Sequence, residues 1–339
     1  MLGEVTESGL KYPESADVRF AIQDMQFENI DQQAACLTDH DQKYHQISRG
    51  KYQGQFRTVL LGEQVALYFE TFNQTLDQWG ASPSDRYGFI FFMDPTNFGH
   101  LGNNSFTGED ILFLPPGHSF DFRCTPQTRF CVVSIDHIAF EQLVHDGFEA
   151  DTALTKLRHQ TSIIRDPDCV CLLRQIITFI VRRLRLQQGN DLSAGTELGA
   201  KRSLCELLAG IVAHPQTAGS VSKLHKTETS VGLVRCIRDH IRNRRGIAVG
   251  PDQLAEEFSV SRRHLERIFR SKLGHSPAAY IQIVKLNEFR SALLRPENEK
   301  ACIGDVAADF SIWHLSRLAQ NYRHQFGELP SDSRKTLVT

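Results

Sequence analysis

Residues 254–277 read LAEEFSVSRRHLERIFRSKLGHSP, and residues 306–330 read VAADFSIWHLSRLAQNYRHQFGELP. With one extra residue in the second copy, after the pair Val260/Ile312, the two stretches align throughout. Ala255 matches Ala307, Phe258 matches Phe310 and Ser259 matches Ser311. Past the insertion, Leu265 matches Leu318, Arg270 matches Arg323, Gly274 matches Gly327 and Pro277 matches Pro330, while Phe269 faces Tyr322 and Leu273 faces Phe326. An internal repeat of this length marks one supersecondary unit used twice.

Each copy has the pattern of a helix-turn-helix. A small residue, Ala255 or Ala307, permits the close crossing of a second helix. A turn ends in an apolar residue expected to be buried, Val260 or Ile312. The second helix keeps one apolar stripe, Leu265, Ile268 and Phe269 or Leu318 and Tyr322, and turns a polar, basic stripe outward. Ser261 is placed to cap the first of these helices and Gly274 to end it. The motifs are expected at 252–273 and 303–326. One copy alone is as readily an ordinary helical hairpin; two copies with the same Gly and Pro punctuation point to double-stranded DNA. Between them Ser276, Pro277 and Pro296 delimit a linking helix, PAAYIQIVKLNEFRSALL. Its eighteen residues (277–294) would span about 27 Å at 1.5 Å each. Major-groove faces recur roughly every 34 Å on one side of B-DNA, so such a strut can set two recognition helices into adjacent grooves.

This arrangement closely resembles the DNA-binding domain of the AraC/XylS family of bacterial transcription regulators, over about residues 231–334. The stretches HLERIFRSKLGHSP (264–277) and HLSRLAQNYRHQFGELPSD (314–332) carry the resemblance. The latter is similar to the branch with regulators of benzoate and toluate degradation and of ethanolamine use. Position by position, the resemblance implies base contacts from Arg263, Glu266 and Arg267 on the first recognition helix, and from Ser316, Arg317 and Gln320 on the second. Arg suits guanine and Gln suits adenine. Arg270, Lys272 and Arg323 are the phosphate candidates, which supply affinity rather than sequence information. Two departures stand out. Ser311-Ile312 replaces the family's usual Gly-Phe, and Ser enters the left-handed region less freely than Gly, so the second unit is expected to sit differently or bind more weakly. Gln320 stands where Arg is common, which alters the expected base preference.

Outward from the repeat, His214–Thr229 is rich in Ser, Thr, Gly and Lys and reads as a linker over 214–230. Before it come strand-like runs, GQFRTVLLG, EQVALYFETFN, RYGFIFFM, EDILFLP and RFCVVSID, separated by turn residues. Strands of this length suggest a small antiparallel barrel or sandwich. From Asp136 the period becomes helical, with one helix expected near 168–188 and another near 196–213. The surplus apolar face of that pair either packs on the barrel or joins the same helices of another copy of the chain; the latter reading is preferred. Gly108–His118, GEDILFLPPGH, resembles the second motif of the cupin barrel, the effector-binding arm of the AraC/XylS family. The metal-binding version of that barrel needs a His-x-His, and here His100, His118 and His137 stand apart, so no metal, cofactor or catalytic residue is expected. Tyr68, Phe69, Phe72, Phe89, Phe91, Phe92 and Phe113 read as plain core rather than pocket.

The chain of 339 residues suits two domains, with 41% apolar and 23% charged residues ruling out wholesale disorder. Its longest apolar runs are too short to span a membrane, and the first twenty residues lack a secretory pattern. Eight cysteines include no Cys-x-x-Cys pair, which fits a reducing cytoplasm. The net charge of −2 divides unevenly: residues 1–227 hold 20 Lys and Arg against 27 Asp and Glu, and residues 228–339 hold 18 against 13. Only the back third is basic enough to suggest a polyanion partner. The expectation is an α+β chain: a cupin-like β-barrel with a helical dimerisation segment over 1–213, then an all-α tandem helix-turn-helix domain over 231–334. Function follows as a promoter-binding regulator, an activator by the family's commoner habit, homodimeric, working beside RNA polymerase and answering a small-molecule effector whose pocket the sequence does not reveal. The competing reading is a metal-dependent cupin enzyme fused to a DNA-tethering module.

Overall fold

The computed structural model describes residues 21–37, 41–102, 104–148, 154–155, 157–186, 194–213, 229–247 and 249–335. The first twenty residues and most of the expected linker lie outside them. Within them the chain forms two compact units. The first takes residues up to Tyr44, Gln53–Asn73 and Gln78–Leu224; the second takes His45–Tyr52, Gln74–Asp77 and His225–Thr339.

The first unit is built on antiparallel strands β1 (Ala21–Phe27), β2 (Asp41–Gln46), β3 (Gly54–Leu60), β4 (Val65–Phe72), β5 (Leu76–Ala81), β6 (Arg86–Phe92), β7 (Phe98–Leu101), β8 (Asn104–Thr107), β9 (Asp110–Leu114), β10 (Ser119–Cys124), β11 (Thr128–Asp136) and β12 (Ser162–Arg165). They form a seven-stranded sheet, β1-β3-β4-β11-β6-β9-β12, and a five-stranded one, β2-β5-β10-β7-β8. The strands thus form two sheets, as the sandwich alternative expects, and neither closes into a barrel. All seven residues of β6 are buried, so the simple in-out alternation of a half-exposed strand is absent. One set of rings explains this: Phe92, Phe106 and Phe122 interlock, with Phe92–Phe106 centroids 4.7 Å apart. In the other set, Phe89, Phe91 and Phe113 share a core with residues of three helices.

Those helices are α2 (His137–Phe148), α3 (Pro167–Leu186) and α4 (Ala194–Ala213), preceded in the chain by a short α1 (Ile30–Ala34). Val170, Leu173, Ile177, Ile180 and Leu184 of α3 and Leu204, Leu208 and Ile211 of α4 lie in that same core. The apolar face of the pair thus packs within this unit. A different stripe of α3, Leu172, Phe179 and Leu186 at seven-residue spacing, remains 47, 47 and 66% exposed.

The second unit contains α5 (Thr229–Asn243), α6 (Pro251–Glu257), α7 (Arg262–Leu273), α8 (Pro277–Leu293), α9 (Ile303–Asp309), α10 (Leu315–Phe326) and α11 (Pro330–Lys335). Helix α8 is held at its start by Ser276, whose hydroxyl accepts from the Ala279 amide. Its 17 residues rise about 26 Å. Tyr280, Ile281, Ile283 and Val284 belong to one hydrophobic core, and Leu286, Phe289, Ala292 and Leu293 to the next. The strut is thus a shared wall of both cores.

Ile47 is buried in the first of these cores beside α5, α7 and α8. The residues around it are fixed by side-chain amides. Asn287 accepts from the Gln46 amide and donates to the Gln46 carbonyl, at 2.8 and 3.0 Å. Gln325 donates to the carbonyls of Gln46 and Ser48, and its backbone carbonyl accepts from the Gly50 amide at 2.9 Å.

Candidate nucleic-acid interface

The recognition helix of the first repeat, α7, begins where Ser261 accepts from the His264 amide at 3.1 Å. It ends at Gly274, whose φ of +71° suits a residue without Cβ. Leu265, Ile268, Phe269 and Leu273 face the core. Arg263, Arg267, Arg270 and Lys272 are exposed or partly so, and Glu266 is half-buried. Positions 263, 266, 267 and 270 share one helical face by their spacing. Two of the expected base and phosphate contacts are tied together: Arg270 Nε lies 3.1 Å from Glu266 Oε1. Arg267 Nη2 lies 3.0 Å from His264 Nδ1, and Arg262 pairs with Asp252 at the start of α6.

The second recognition helix, α10, repeats the plan. Leu318, Tyr322 and Phe326 are buried, and Gly327 ends the helix at φ +74°. Ser316, Arg317, Gln320 and Arg323 are exposed. Its N-cap, His314, makes no side-chain cap bond, unlike Ser261.

The turns correct one expectation and extend another. Val260 and Ile312 are half-buried, not buried, as is Ala255, whereas Ala307 is fully enclosed. Ser311 does adopt the left-handed conformation, at φ +55°, and Ser259 does the same at φ +52°. The hydrogen bonds also match: Ser259 to Glu256 and Val260 to Ala255 (3.0 and 2.8 Å), Ser311 to Ala308 and Ile312 to Ala307 (2.8 and 3.0 Å). At the turn, the second repeat is built like the first.

A different kind of site lies in the first unit. A narrow, water-sized cavity is lined in part by Glu70, Gln78, Ser82, Arg86, Phe120 and Phe130. Glu70 is buried, accepts from Tyr44 at 2.9 Å and Gln33 at 3.1 Å, and has its carboxyl pushed up to about 7 by burial, against the pull of those two donors. Arg86 donates to Ser134 Oγ at 2.7 Å and to the Gln64 and Ser134 carbonyls, all neutral acceptors. The buried Gln78 Nε2 has no hydrogen-bond acceptor among the described residues. No sequence pattern singles these residues out: Glu70 stands alone in the apolar strand β4, and the others are scattered along the chain. Among the described residues no three His, Cys, Asp or Glu side chains gather as a metal set; His118 and His137 instead lie at 2.9 and 2.8 Å from backbone carbonyls.

Comparison with known proteins agrees with the helical geometry. The family described as a helix-turn-helix domain matches residues 254–336. The XylDLEGF operon transcriptional activator of Pseudomonas putida is 40% identical over 82 residues, which are 24% of this chain and 26% of that protein. Residues 254–336 thus form a helix-turn-helix domain similar to that of this activator. Another XylDLEGF operon activator of P. putida shares 36% identity with it over 101 residues, 30% of this chain and 62% of the relative. A solved structure of the AraC-like transcriptional activator CuxR aligns over 84% of this chain and 98% of its own, at 14% identity and a TM-score of 0.42. The chain spans about a quarter of the first of these relatives.

Proposed function

We propose that the chain is a promoter-binding transcription activator controlled by a small molecule. The observation that carries this is the pair of exposed polar faces, Arg263/Glu266/Arg267 and Ser316/Arg317/Gln320, on two recognition helices whose cores share α8. In this reading those six side chains meet base edges, and Arg270, Lys272 and Arg323 meet phosphates. The two-sheet unit serves as a cupin-like effector arm, open rather than closed. Its water-sized cavity suits a bound water that offers an acceptor to Gln78 Nε2, because a buried donor left unmatched is costly. The exposed stripe Leu172, Phe179 and Leu186 supports a homodimer through α3, since heptad spacing is what a helix pair buries. Cytoplasmic residence and contact with RNA polymerase complete the proposal; among the described residues no helix is long and apolar enough to cross a membrane.

Footprinting the protein across its neighbouring promoters, with and without candidate effectors, tests it. Protection of two adjacent major-groove segments, altered by an effector, is expected; uniform weak protection of every sequence would overturn it. Metal analysis with a turnover assay separates it from a cupin enzyme.

A further inference from the structure

The two recognition helices differ most at their entrances. In the first repeat Ser261, Arg262 and Arg263 are polar and exposed. In the second, the residues between the turn and the helix are Trp313 and His314, followed by Leu315. Trp313 is 72% exposed and makes no hydrogen bond or ring contact among the described residues. Leu315, 49% exposed, leans over Gly304 of α9, where a Cβ would come 3.4 Å from its Cδ1. Leu315 therefore packs on α9, whereas most of Trp313 is left in solvent. An indole left in water costs solubility and gains nothing for the fold.

Trp313 stands just before the extended N-cap His314, at the entrance to the helix that carries Ser316, Arg317 and Gln320. Residues at the amino end of a recognition helix are those that reach base edges. In the major groove the only apolar group that identifies a base is the thymine methyl. We propose that Trp313 is a specificity residue of the second repeat, laid against thymine methyls, so that the first repeat selects guanine through Arg and the second selects thymine through an apolar ring. This inference rests on the DNA-binding reading above.

The full chain is used to enrich binding sites from a random duplex pool, and the enriched site is resynthesised with deoxyuridine at each thymine in turn. In the part of the site footprinted by the second repeat, loss of one methyl should weaken wild-type binding about fourfold, the value of burying one such group. Trp313→Ala should weaken binding to the thymine site and be indifferent to the same deoxyuridine changes. In a Trp79→Phe background, Trp313 is the sole tryptophan, and its fluorescence should become shielded from acrylamide on adding the duplex. Wild-type indifference to every deoxyuridine, equal loss by Trp313→Ala on both duplexes, or an indole still open to quencher would each overturn the inference; the last would mean that Trp313 faces another protein. Failure to enrich any site would instead overturn the DNA-binding reading, and this inference with it.

Discussion

The carboxylate of Asp77 lies 2.9 Å from Nη2 of Arg242, with both side chains buried. The same oxygen accepts from Arg238 at 3.2 Å and from the Tyr280 hydroxyl at 3.1 Å. One carboxylate thus joins α5 to α8, through two guanidinium groups that are otherwise expensive to enclose. Asp77→Ala should destabilise the second unit by about 3–5 kcal/mol, because it strips a buried pair of one partner. Urea denaturation of the full chain, followed through a probe in α5, would show a lowered midpoint. An unchanged midpoint would mean that water replaces the carboxylate freely.

The left-handed serine at the second turn gives a prediction of opposite sign. A residue with a Cβ at φ +55° is strained, and glycine is not. Ser311→Gly should therefore stabilise the second repeat by about 1 kcal/mol, less what the freer unfolded chain takes back. Ser259→Gly should behave alike. If thermal midpoints of both variants fall, the serine hydroxyls must contribute more than the strain costs.

Glu70 links stability of the first unit to pH. Its folded value of about 7 lies above the ordinary 4.5, so the folded state holds the proton more tightly. The associated stability is complete below about 4.5 and disappears as pH climbs through 7, and the whole effect is on the order of 3 kcal/mol. In the second unit His45, whose charged form burial disfavours, acts in the contrary sense, costing stability as pH falls below its ordinary 6.5. The comparison of wild type with Glu70→Gln isolates the carboxyl: the difference between their stabilities should slope between pH 4.5 and 7. Parallel curves would show that Glu70 is ionised throughout.

Two arginines should separate base reading from phosphate binding. Arg267→Ala is expected to relax choice at one position of the site, at roughly 1–3 kcal/mol. Arg323→Ala should weaken all sequences alike and lower the salt slope by about 1. Competition assays at several salt concentrations distinguish them, and a uniform loss with Arg267→Ala would remove it from the base-reading set.

Local chemistry makes the helical region legible. Ser261, Gly274, Ser276 and Pro277 act where a capping residue or a fixed φ must act, and the observed helix ends follow them. Strands β3, β4, β6, β9 and β11 are legible because they are apolar and long. Strands β1 and β2, with sequences AIQDMQF and DQKYHQ, are not, since polar residues dominate them and pairing alone makes them strands. The left-handed Ser259 carries no signal of its own, because only Ser311 departs from the expected glycine. Least legible is the placement of His45–Tyr52 and Gln74–Asp77 in the helical unit, which depends on partners more than 150 residues away, such as Asn287 and Arg242.

That placement changes what counts as the smallest working piece of the helical region. A polypeptide begun at residue 225 would leave a hole where the Ile47 side chain fits, bare the amides of Asn287 and Gln325, and deprive Arg238 and Arg242 of Asp77. Excised by sequence alone, the module would be a truncated one, and its weakness in solution would say little about the intact molecule.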